Sequence, residues 1–180
     1  MGDLMDWAST ASRTLIYVLA GVATLGVVLL GWRLLRQRPF PAIQATARDL
    51  AVALAVSLIV VLTLLSPTPV TDGREPVVRL VPFEDLREAL GGRQSLRVVL
   101  EMIGNVALFV PLGWSLRWRF KRLRIVHVAA VAAAISVTIE ALQALTGGGR
   151  WPETTDVITN TVGALLGAAL AGMGIARSHE

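Results

Sequence analysis

The 180-residue chain contains no cysteine, which excludes disulfides, thiol catalysis and cysteine-ligated metal sites. It has two histidines, His127 and His179. Neither stands at a metal-ligand spacing from other ligating residues, and no metal or other cofactor is expected. No serine–histidine pair or glycine-rich phosphate cradle is present either. Lysine is nearly absent: Lys121 is the only one, so arginine carries the basic charge. The formal net charge is +4. The arginines sit at the ends of apolar segments, where they set membrane orientation, so nucleic acid is not an expected partner. Also missing are long amphipathic stretches of the kind that cover a water-soluble core.

Hydrophobic residues make up 54% of the chain. They form runs that approach or exceed the roughly 18–20 residues needed to cross a bilayer. The fold expected is all-α: a polytopic integral membrane helical bundle of about five transmembrane helices. The first span is read at Thr14 to Leu35 and the second at Leu50 to Leu65, the latter short at its strict start but able to borrow apolar residues from Ala42 to Ala47. The third covers Val98 to Leu116, the fourth Ile125 to Leu145 and the fifth Asp156 to Ile175. Residues 1–13 form a polar outer tail with Asp3 and Asp6, and 14–180 a single membrane domain. A secretory signal starts with positive charge and has a cleavage site after its apolar core; this start is acidic and its apolar run continues into Trp32 and Arg33, so the first span is read as uncleaved.

Segment 67–97 is the longest polar stretch, with acidic and basic residues in balance. Within it, Glu84 to Leu90 reads as a short amphipathic helix ended by Gly91-Gly92. Arginine is in excess after spans one and three and in the carboxyl-terminal tail. The positive-inside rule then places the amino terminus outside and the carboxyl terminus in the cytoplasm. Trp32, Trp114 and Trp118 fall at inner ends and Trp151 at an outer end, as interfacial anchors do.

The polar residues inside the spans carry the functional signal. Ser136, Glu140 and Gln143 are spaced i, i+4, i+7 and share one face of span four. Asp156 and Asn160 are i, i+4 on span five, as are Glu101 and Asn105 on span three. At ~1.5 Å rise per residue, Asn105 and Glu140 lie roughly 10 Å and Asn160 about 6 Å below their outer helix ends. The expected site is therefore a pocket open to the outer leaflet, roofed by segment 67–97 and Arg150. The asparagines also have a structural reading as interhelical hydrogen bonds, each worth about 0.6–2 kcal/mol. Gly163, Gly167 and Ala171 read as close helix packing, and Pro111 as a tolerated kink. Glu140 differs, because a carboxylate inside a membrane helix must be protonated, paired or solvated. Arg150 is its nearest partner in sequence, and Glu140 and Asp156 are the candidate general acid or base.

These residues resemble the VanZ-like family. Its pattern runs N-x-x-L-F-x-P-x-G, then S-x-x-x-E-x-x-Q, then R-x-x-D-x-x-D-x-I-x-N-x-x-G. Here it reads Asn105, Leu108, Phe109, Pro111, Gly113; then Ser136, Glu140, Gln143; then Arg150, Asp156, Ile158, Asn160, Gly163. Val81-Pro82-Phe83 is similar to the family's loop motif before span three. The resemblance covers about 80–172. Glu153 stands where the family often has aspartate, and Thr155 replaces another frequent acid. The resemblance implies a small protein of the bacterial cytoplasmic (inner) membrane, associated with low-level resistance to the glycopeptide teicoplanin.

Two functions are expected alternatives. One is binding of an outer-leaflet amphiphile or lipid-linked cell-wall precursor through Asn105, Ser136, Glu140, Gln143, Arg150, Glu153, Asp156 and Asn160. The other is a membrane-embedded enzyme in which Glu140 or Asp156 transfers a proton on a lipid-linked or glycopeptide substrate. Membrane lipids are partners in both, and the oligomeric state is left open.

Overall fold

In the computed structural model, the described residues are 2–36, 38–64, 81–90, 95–145 and 152–177. They form six helices: α1 (Gly2–Leu34), α2 (Pro39–Leu64), α3 (Glu84–Ala89), α4 (Ser95–Arg119), α5 (Ile125–Leu145) and α6 (Thr154–Arg177). Five of these are long and apolar enough to cross a membrane; only the six-residue α3 is not. Among the described residues there is no sheet. A helix satisfies its own backbone groups, which an apolar solvent requires. The chain is a multi-pass membrane protein.

The boundaries follow from local chemistry. Pro39 opens α2, a position where its missing N–H is not needed and its fixed φ already suits a helix. That places α2 eleven residues ahead of the span expected at Leu50, because Pro39 and Pro41 fit inside a first turn as readily as in a loop. α1 likewise begins at Gly2, ahead of its membrane-crossing part, Tyr17–Leu34. Pro111 lies inside α4, which continues through it to Arg119. At the end of α4, Arg117 Nη1 donates to the Lys121 carbonyl at 3.2 Å and to the Leu123 carbonyl. The cation thus satisfies carbonyls of the turn that follows α4 while lying near a helix carboxyl terminus, where such charge is favoured.

α4 is the centre of the bundle, packing on α2, α5 and α6, while α1 packs on α2. Phe109, Leu112, Val128, Ala132, Ile59, Ala164 and Ala168 form the shared core. Two faces meet unusually closely. A Cβ placed on Gly163 or Gly167 would overlap the carbonyl oxygen of Val106 or Val110, and one on Gly113 that of Ala164. Glycine lets the two backbones touch, and contact of this kind drives helix association where lipid is as apolar as the side chains. Because 106 meets 163 and 110 meets 167, α4 and α6 run parallel. α5 and α2 run opposite to them.

The bundle therefore has two ends. At the upper end α2 and α5 finish and α4 and α6 begin; at the lower end the reverse holds. Arg33, Arg36, Arg119, Lys121, Arg122 and Arg124 gather at the lower end. Trp32 and Trp114 are half-exposed on its lower half, and the Trp114 and Trp118 rings lie 5.2 Å apart.

Candidate functional site

The polar residues of α4, α5 and α6 converge at the upper end and are bound to one another. Asn105 Nδ2 donates to Asp156 Oδ1 at 2.7 Å, joining α4 to α6. Asn160 Nδ2 donates to Ser136 Oγ at 2.8 Å, joining α6 to α5. Gln143 Nε2 donates to the Thr63 carbonyl at 3.0 Å, joining α5 to α2. The Glu153 N–H donates to Glu140 Oε2 at 3.2 Å. The helix spacing explains the pattern. Ser136 and Glu140 are one turn apart on α5, Asn160 and Asp156 one turn apart on α6. In antiparallel register the two pairs face each other.

Burial makes these bonds consequential. Ser136 is 0%, Asn160 5% and Glu140 8% exposed. A carboxylate so placed is costly without compensating hydrogen bonds. Asp156 lies in the first turn of α6, where the helix dipole favours negative charge. One acceptor remains open: Asn160 Oδ1 is buried and has no hydrogen-bond partner. Most buried polar atoms are partnered, so such an atom marks a place where a further donor fits.

Two threonines that sequence reasoning did not assign belong to this region. Thr155 Oγ1 accepts the Phe83 N–H at 2.9 Å, which ties the start of α3 to α6. Phe83 has φ 60°, the one non-glycine residue in the left-handed region among the described residues. Thr155 thus stands where an acid was anticipated and uses its hydroxyl to hold the Val81-Pro82-Phe83 turn. Thr159 donates to the Thr155 carbonyl at 3.0 Å. No sequence signal separates these hydroxyls from the many threonines that bond back within their own helix.

Arg150 and Trp151 lie outside the described residues, as does most of segment 67–97; the expected roof is therefore not among them. Glu101 is 59% exposed and pairs with Arg97 one turn before it at 2.9 Å, away from the network. His127 is exposed near the opposite end of α5. Among the described residues no group of three or more histidine or acidic side chains could hold a metal ion.

The family described as VanZ/LLP1 matches residues 51–175, well over half of the chain. The chain belongs to the VanZ/LLP1 family. The matched stretch holds the whole α4–α6 network, from Asn105 to Gly167. A curated relative, Protein VanZ of Enterococcus faecium, is 41% identical over 73 residues. That stretch is 41% of this chain and 45% of the relative, so the chain spans less than half the length of the curated protein it matches. No solved structure matches the chain significantly.

Away from the network, the lower end holds a charge cluster missed in the sequence. Asp49 on α2 bridges Arg33 of α1 and Arg119 of α4, one carboxylate oxygen to each. Arg33 Nη1 also donates to Thr46 Oγ1 at 3.1 Å. The signal available was a lone acid inside the apolar run of α2, flanked by arginines of two other helix ends.

Proposed function

We propose that the upper-end network recognises the headgroup of an amphiphile or lipid-linked cell-envelope precursor in the outer leaflet of a bacterial cytoplasmic membrane. The observation that carries this reading is the buried Asn160 Oδ1 left without a donor, one helical turn from Asp156 on its own helix and beside Ser136, itself one turn from Glu140 on α5. Helix association alone does not call for a buried acid such as Glu140, since neutral amides and small residues serve it at lower cost. With the arginine-rich lower end in the cytoplasm, as the positive-inside rule requires, the network faces outward. In this reading Asn105, Gln143 and Asn160 supply hydrogen bonds and Glu140 holds the geometry. Arg150 meets an anionic group of the ligand.

Likeness to Protein VanZ supports a link to teicoplanin resistance, exerted by occupying or altering access to a surface precursor. A bacterial host expressing the full chain tests this. Wild type lowers sensitivity to teicoplanin, and Glu140→Gln, expressed at the same level in the membrane, does not. Equal protection by both proteins contradicts a role for the network, and no protection by either contradicts the resistance link.

A further inference from the structure

Arg48 is the residue whose placement nothing above explains. It is the tenth residue of α2, about 14 Å along the helix from Pro39, and so inside the membrane-crossing segment rather than in a loop. The neighbouring carboxylate is already committed: Asp49 gives one oxygen to Arg33 and the other to Arg119. Arg48 makes no ion pair with any described residue. Its Nη2 reaches only the neutral Gln44 Oε1 at 3.4 Å, and its buried Nε has no hydrogen-bond partner. Its guanidinium lies over the Trp118 ring of α4, 5.9 Å from the centroid. The three arginines and one aspartate thus hold two positive charges in excess, partly buried.

Depth identifies the counter-ion. Arg48 Cα lies about 24 Å below Leu64 at the upper end of α2. Helical side chains point toward their own amino terminus, here the lower end, and a long arginine snorkels several ångströms further. The guanidinium therefore reaches about 30 Å from the upper end, the thickness of the hydrocarbon core. That is the level of headgroup phosphates in the lower leaflet. A planar guanidinium suits a phosphate, offering two parallel N–H donors. Trp118 is at home at the same interface.

We propose that Arg48, stacked on Trp118 between α2 and α4, binds the phosphate of an anionic phospholipid. The site is separate from the upper-end network and does not depend on it.

The test uses the full chain in detergent with native mass spectrometry of bound lipid. Phosphatidylglycerol, phosphatidylcholine and inorganic phosphate are added in turn. Wild type retains phosphatidylglycerol in preference to phosphatidylcholine and does not retain inorganic phosphate. Arg48→Gln weakens phosphatidylglycerol binding at least about tenfold, the loss expected for one charge-assisted contact. Arg122→Gln, on the exposed α4–α5 turn, leaves it unchanged. Unaltered binding in Arg48→Gln overturns the proposal. So does equal retention of the two lipids by wild type, a readout that stands even if Arg48→Gln fails to fold. Binding of inorganic phosphate as tightly as the lipid overturns the assignment to a lipid source.

Discussion

Replacing Gly163 with alanine adds one methyl group where α6 touches α4. The new Cβ would sit 3.0 Å from Val106 Cα and 2.9 Å from its carbonyl carbon, and closer still to the oxygen. Ordinary contact begins at 3.4 Å, and all three obstructing atoms are main chain, so no side-chain rotation relieves the overlap. The two helices must part by roughly 1 Å, which also loosens neighbouring contacts in a close-packed interior. Overpacking of this kind costs about 1–3 kcal/mol. Gly104→Ala, on α4, provides the control, because a Cβ there meets nothing within 4 Å. Its helix propensity gains up to about 1 kcal/mol. Gly163→Ala gains the same propensity, which therefore cancels, so unfolding of both variants in mixed micelles, followed by far-ultraviolet circular dichroism, should separate them by about 1–3 kcal/mol, the overpacking cost alone. Equal stability of Gly163→Ala and Gly104→Ala would refute direct backbone contact between α4 and α6.

Other perturbations probe the polar contacts. Asn105→Leu removes the donor to Asp156, and a double-mutant cycle with Asp156→Ala should give a coupling of about 0.6–2 kcal/mol in micelle unfolding. Asp49→Ala leaves Arg33 and Arg119 without their shared acceptor, a loss of about 1.5–3 kcal/mol for charge-assisted hydrogen bonds in a partly buried cluster. Glu101→Gln breaks only the exposed pair with Arg97 and should change stability by less than about 0.5 kcal/mol in the same assay. Thr155→Val keeps the shape but removes the acceptor for the Phe83 N–H, so amide exchange at Phe83 should accelerate while α6 stays protected.

Much of this architecture was legible from periodicity alone. The five apolar runs became five long helices because a bilayer leaves few other solutions. The i, i+4 pairs on spans four and five identified residues that bond across helices, since a shared helix face is a property of spacing; on span three Asn105 does so, while Glu101 lies exposed beside Arg97. The glycines at 163 and 167 showed their role for the same reason. Asp49 escaped notice because a carboxylate near an arginine-rich break reads as part of the break. Only the folded register shows that α2 starts at Pro39 and carries Asp49 and Arg48 inside the membrane segment. Thr63 was invisible in a different way: its carbonyl accepts from Gln143, and every residue has a carbonyl. Thr155 looked like the loss of an acid, whereas its hydroxyl holds a turn 72 residues away in the chain.

Whether the network is a recognition site or helix glue is decided by what the purified protein carries. Wild type and Glu140→Gln, extracted under the same mild conditions and matched in unfolding midpoint, would be compared for co-purifying lipids by mass spectrometry. A recognition site predicts one lipid or isoprenoid-linked species enriched with wild type and lost from the folded variant. Identical lipid profiles from two equally folded proteins would contradict it and leave the network as a structural clamp.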